Sequence, residues 1–224
     1  MPLPMVHLAV AIELTQIWDS EPSPAFLLGT LAPDAIHMRP GTSAADKSRV
    51  HFHRAIEEQG FDAARQLHAR LVAEQPDLHD VALGYAVHLL TDALWVERLF
   101  LPFRAETNLP RADERAFYYR ETDEVDRLFY EGAPWRPDVW EALAVAQPAD
   151  LPELLSADEI GRWRDRTLAW FDTLPAANEP PRHFTCERVG AFVTEAAATI
   201  AREVAGWEQM RRNDNHRDRS LELQ

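Results

Sequence analysis

The stretch Val81-Ala82-Leu83-Gly84-Tyr85-Ala86-Val87-His88-Leu89-Leu90-Thr91-Asp92-Ala93-Leu94-Trp95 is the most apolar run of the chain, and its reading decides the fold. Apolar residues fall on nearly every face, which predicts a central, buried helix over about 78–100. Pro76 and Asp77 precede it, and Asp77 is placed to cap its first turn. His88 and Asp92 stand at i,i+4 spacing, so they share one face with Cβ atoms about 5–6 Å apart. A carboxylate in such a setting is destabilising unless something pairs it. Three arrangements would satisfy it. The two groups pair with each other, Asp92 meets an arginine from elsewhere, or both ligate a metal.

Working outward, helical patterns are expected at about 4–18, 25–31, 52–74, 111–130, 137–146, 157–174 and 185–212. Residues 38–47, with Pro40 and Gly41, read as a loop. Pro33 stops regular helix at or before Ala32, which leaves Asp34 at a chain turn beside apolar residues. Only 8 glycines occur, and Ala, Leu, Glu and Arg dominate, so the fold class is all-α, a multi-helix bundle. No Gly/Ser-rich linker divides the pattern. We expect one domain over 1–212 and a polar tail over 213–224.

The 224 residues are 46% hydrophobic, enough for a real core. With 37 acidic against 23 basic side chains the formal net charge is −14, which argues against binding a nucleic acid duplex. The single cysteine, Cys186, excludes a disulfide framework and a cysteine-based zinc finger. The start lacks the basic and apolar regions of a signal peptide, and no stretch approaches ~20 apolar residues. A cytoplasmic protein without a membrane span is expected. Trp135, Trp140, Trp163 and Trp170 stand at helix-like spacings, as core anchors or as part of a homodimer surface.

Ligand-type residues concentrate in the first half. His7 lies on the apolar first helix, Asp34 at its turn, and His51 and His53 flank Phe52. Taken singly, each is as readily a satisfied core or surface residue. His53, His68 and His79 read as surface positions, and His183 and Glu187, also i,i+4, stand apart in a Pro-rich entry to the last helix. Imidazole with carboxylate suits zinc or a similar cation.

The order of these elements resembles the zinc-dependent phospholipase C family, in the fold group of the S1/P1-type nucleases. The residues that carry the resemblance are His7 to Ala11, then Leu28-Gly29-Thr30-Leu31-Ala32-Pro33-Asp34, His51-Phe52, and Gly84-Tyr85-Ala86-Val87-His88-Leu89-Leu90-Thr91-Asp92. They span roughly the first hundred residues. The resemblance implies a helical bundle in which Asp34, His51, His88 and Asp92 surround one zinc. Asp92 would bridge to a second zinc at His7. No histidine lies between His88 and His183, so one ion, or two, is expected rather than the family's three. Glu97 or Glu121 would supply a further carboxylate. His37 is left without a role.

The implied activity is hydrolysis of a small phosphoester or phosphodiester by metal-activated water, with Asp34 as ligand or general base. Two alternatives stand beside it. One is a non-catalytic helical protein with a structural or vestigial metal site. The other is an HD-type phosphohydrolase built on the adjacent His79-Asp80 pair, with His51 or His53 upstream and Asp126 downstream.

Overall fold

Proline sets the start of the first two helices. In the computed structural model, which describes residues 3–173 and 179–221, α1 (Pro4–Ile17) and α2 (Pro24–Leu31) each begin on a proline. Its missing N–H is not needed there. The Ser23 side chain caps α2 by accepting from the Phe26 N–H at 3.1 Å. At Pro33 the chain tightens into a 3₁₀ turn, Ala32–Met38, as the sequence requires. Then follow α3 (Ala44–Val50), α4 (His53–Gln59), α5 (Asp62–Glu74), α6 (His79–Trp95), α7 (Leu101–Thr107) and α8 (Arg111–Gly132). The chain continues through α9 (Arg136–Val145), α10 (Ala157–Thr173) and α11 (Cys186–Leu221). Among the described residues there is no strand, only one isolated bridge between Leu151 and Leu155. The all-α expectation holds.

Several boundaries differ from the sequence reading. Part of the expected 38–47 loop is helical, because Ser43 and Asp46 form a capping box that starts α3. The expected helix over 52–74 is two, divided at Gly60, whose φ of 61° only glycine adopts easily. Asp77 caps nothing. It lies in a 3₁₀ turn, Pro76–Leu78, and Leu78 takes the position before α6. Residues Val96–Phe100 form a π-helical turn between α6 and α7. Pro102 follows and has no N–H for the regular ladder. α11 continues in backbone past position 212, to Leu221. Leu174 and the tail residues 222–224 lie outside the described residues.

α6 is the axis. It packs against α1, α2, α5 and α11, and Tyr85, Val87, His88, Leu89, Leu90 and Trp95 are fully buried. Burying each large apolar side chain of this kind contributes about 1.5–3 kcal/mol. The tightest contact is with α2. A Cβ on Gly84 would lie 2.2 Å from the Phe26 carbonyl oxygen, and one on Gly29 would lie 2.4 Å from that of Val81. The two backbones therefore touch at a pair of glycines, one on each helix. Trp135, Trp140 and Trp170 pack partly buried against the core, and Trp163 is buried within it.

α8 closes the N-terminal end of α1. Leu3, which precedes α1, offers no capping side chain. The buried Asp126 carboxylate accepts from the Met5 N–H at 3.0 Å instead. Burial pushes the Asp126 pKa well above its ordinary value, against the pull of that amide. A carboxyl raised in the folded state contributes stability below its unfolded pKa and loses it as pH rises through the folded one. Asp126→Asn, measured by thermal unfolding, should therefore raise Tm relative to wild type more at pH 8 than at pH 4. An equal difference at both would contradict this. Gly84→Ala should destabilise the fold by ~1–3 kcal/mol, since backbone rather than a mobile side chain blocks the added methyl. An unchanged Tm would mean the helices do not touch there.

Candidate metal centre

Five side chains from four parts of the chain meet beside the α2–α6 crossing. α1 brings His7, the 3₁₀ turn brings Asp34, the α3–α4 junction brings His51, and α6 brings His88 and Asp92. His7, His51, His88 and Asp92 are at most 5% exposed. The Asp34 side chain is more open, at 17%.

Local structure aims each group. The glycine crossing places the Thr30 carbonyl 2.8 Å from His88 Nδ1. The Lys47 carbonyl lies 3.1 Å from His51 Nδ1. A carbonyl has no proton to give, so each Nδ1 carries hydrogen and donates, and each neutral ring presents its Nε2 lone pair. Phe52, which follows His51 at the α3–α4 junction, adopts a left-handed conformation at φ 52°. That costs about 1–2 kcal/mol for a residue with a side chain. Tyr85, buried in α6, donates its O–H to the Val50 carbonyl at 2.7 Å and ties the residue before His51 to the axis.

The lone pairs face carboxylates. His88 Nε2 stands 3.4 Å from Asp92 Oδ2, His7 Nε2 stands 3.6 Å from Asp92 Oδ1, and His51 Nε2 stands 3.3 Å from Asp34 Oδ1. Among the described residues, both Asp92 oxygens, both His7 nitrogens and His88 Nε2 are buried without a hydrogen-bond partner. Among the described residues, the ion-pair partners of Asp92 are the histidines His7 and His88. Such groups are costly unless a cation lies between them. Two ligands about 2.0–2.1 Å from a tetrahedral zinc stand roughly 3.4 Å apart, so the three separations suit neighbouring ligands.

Electrostatics agrees. Burial, and then the neighbouring His88, hold the His7 pKa down at about 3. Its ring lies parallel to that of His88, with centroids 3.9 Å apart. Burial pulls His88 down too, but Asp92 outweighs it and the net shift is upward. Asp34 and Asp92 both lie below the ordinary carboxylate value. Burial opposes this, and it is outweighed chiefly by His51 for Asp34 and by His88 for Asp92. The groups that could hold a metal form two overlapping triads, His7–His88–Asp92 and Asp34–His51–His88. The second triad opens onto a cavity of about 320 Å³, lined among others by Asp34, His51, His53 and His37.

Other candidate residues lie elsewhere. His37 and His53 line the cavity but join neither triad. Glu97 is exposed. Glu121 is buried, yet its Oε2 accepts from the backbone N–H groups of Arg182, His183 and Phe184, so it ties the entry of α11 to α8. His183 contacts Glu106 at 3.3 Å. His79 is on the surface, and Asp80 Oδ2 accepts from the Ser23 hydroxyl at 2.6 Å, so that pair stands apart from the cluster. His68, expected on the surface, is buried beside Trp207. The roles of Tyr85 and of the Thr30 and Lys47 carbonyls were not foreseen. No local signal in the sequence points to them.

Compared with known proteins, the chain matches no family model, no curated protein and no solved structure.

Tyr85→Phe leaves the Val50 carbonyl without its partner and loosens His51. We expect a loss of about 1 kcal/mol in stability. Zinc affinity, read by competition with a chromophoric chelator, should weaken by ~10-fold or more. Unchanged affinity would show that this tie does not position His51.

Proposed function

We propose that the chain is a zinc-dependent hydrolase of small phosphoesters, with a bundle of the phospholipase C/P1 nuclease type. One observation carries this proposal. The buried Asp92 carboxylate directs its two oxygens at two different imidazoles and has no hydrogen bond among the described residues. Mixed nitrogen and oxygen donors at these separations fit zinc.

His88 has a single free ring nitrogen, so it serves one ion. His51, His88 and Asp92 Oδ2 would hold that ion, with Asp34 beside it as ligand or base. Asp92 Oδ1 with His7 leaves room for a second. A cation there supplies Lewis acidity, lowering the pKa of water toward neutrality and drawing charge from a phosphoryl group. The protein's own groups do the positioning. The Thr30 and Lys47 carbonyls fix the His88 and His51 tautomers. Asp34, the most open of the five and a wall of the cavity, is placed to take a proton from water. Burial of the remaining groups keeps bulk water from the His7 side.

A purely structural ion is the second reading. Structural zinc sites are closed, however, and here Asp34 and His51 face a cavity large enough for a small molecule.

Elemental analysis after zinc loading and dialysis tests the metal. We expect one zinc per chain, or two, and none in Asp92→Ala. Asp34→Asn should keep the fold and lower phosphoester turnover by ~10²-fold or more. Wild-type protein that retains no zinc would overturn the proposal.

A further inference from the structure

The cavity at the centre carries a second set of charged groups. Lys47 is the only lysine in the chain, and it lines this cavity. Arg166, from α10, lines it as well. The formal net charge is −14, and most described arginines meet a carboxylate. Among the described residues, neither Lys47 nor Arg166 has an ion pair. Arg166 lies instead over the rings of Trp163 and Trp170, 5.4 and 4.8 Å from their centroids. Both cations act on one neighbour. His37 is lowered first by burial and then, against Asp34, by Lys47, His51 and Arg166.

Two unpaired cations around one small cavity leave positive charge for a ligand to match. If the reading of the metal centre holds, the Asp34 and Asp92 carboxylates cancel one dication. Lys47 and Arg166 then leave two positive charges. A phosphomonoester, with a second pKa near ~6, brings about two negative charges at neutral pH. A diester brings one. The volume, about 320 Å³, suits a small organic phosphate, and Trp163, Trp170 and Tyr119 provide aromatic wall for its organic group.

Resting on the hydrolase reading, we infer that Lys47 and Arg166 bind the phosphoryl dianion of a small phosphomonoester, and that this cavity selects monoesters over diesters. In the reaction, the oxygen of water bonds to phosphorus as the P–O ester bond breaks. The electron pair leaves on the alcohol oxygen, which takes a proton, and the products are an alcohol and inorganic phosphate.

The test uses the zinc-loaded full chain and two probes that share a phenyl group. Calorimetric binding of phenyl phosphate should exceed that of methyl phenyl phosphate by ~10-fold or more at pH 7.5. Lys47→Gln and Arg166→Gln should each weaken phenyl phosphate binding by ~10-fold, with zinc content and Tm unchanged. Lys47→Arg should restore much of it. Equal affinity for the two probes, or variants that bind phenyl phosphate as wild type does, would overturn the inference. Turnover of both esters is followed in parallel. Faster cleavage of the diester defeats the monoester inference and leaves the hydrolase reading standing. Selective binding without turnover defeats the hydrolase reading and leaves the dianion pocket.

Discussion

The contact between α2 and α6 is the constraint on which the centre depends. Two glycines, Gly29 and Gly84, let the helices approach until backbone meets backbone. Close approach carries the Thr30 carbonyl to His88 Nδ1, and that hydrogen bond decides which nitrogen of His88 is free. Asp92, one turn later on α6, then faces the free nitrogen. Asp34 arrives from the turn that Pro33 forces at the end of α2. With larger residues at the crossing, the helices would part and the imidazole would lose its orienting acceptor.

The polar groups in this place work against folding unless something compensates them. Asp92 lies in an apolar helix without a hydrogen bond among the described residues, and His7 stacks on His88 with both its nitrogens buried. Asp92 beside it raises the His88 pKa against the pull of burial. A divalent cation, as proposed, would compensate Asp92 and the imidazoles together. On the closed side, His7 is buried. The open side, at Asp34, meets a cavity with an aromatic wall and two cations of its own.

Much of this was legible in the chain. A run of apolar residues on all faces of 81–95 identified the buried axis, and the spacing of His88 and Asp92 placed them on one face. Proline at position 33 located the turn that carries Asp34. The five residues singled out do converge. What stayed hidden depends on tertiary approach. Nothing local distinguishes Gly29 or Gly84 as a helix contact. Glu121 read as a spare carboxylate because the three amides that occupy it come from residues some sixty positions later. Ser43 and Asp46 carry a local signal, a capping box, yet Pro40 and Gly41 outweigh it, and residues 44–47 of α3 fall in the expected loop. His68 looked polar by its neighbours, while the element that covers it is α11 at the far end of the chain.

Diffraction from zinc-grown crystals, collected above and below the zinc absorption edge, tests most directly that Asp92 and the imidazoles face a cation. The expected result is an anomalous peak about 2.0–2.2 Å from both His88 Nε2 and an Asp92 oxygen. No peak there, with Asp92 instead meeting an arginine or hydrogen-bonded to protonated histidines, would contradict it.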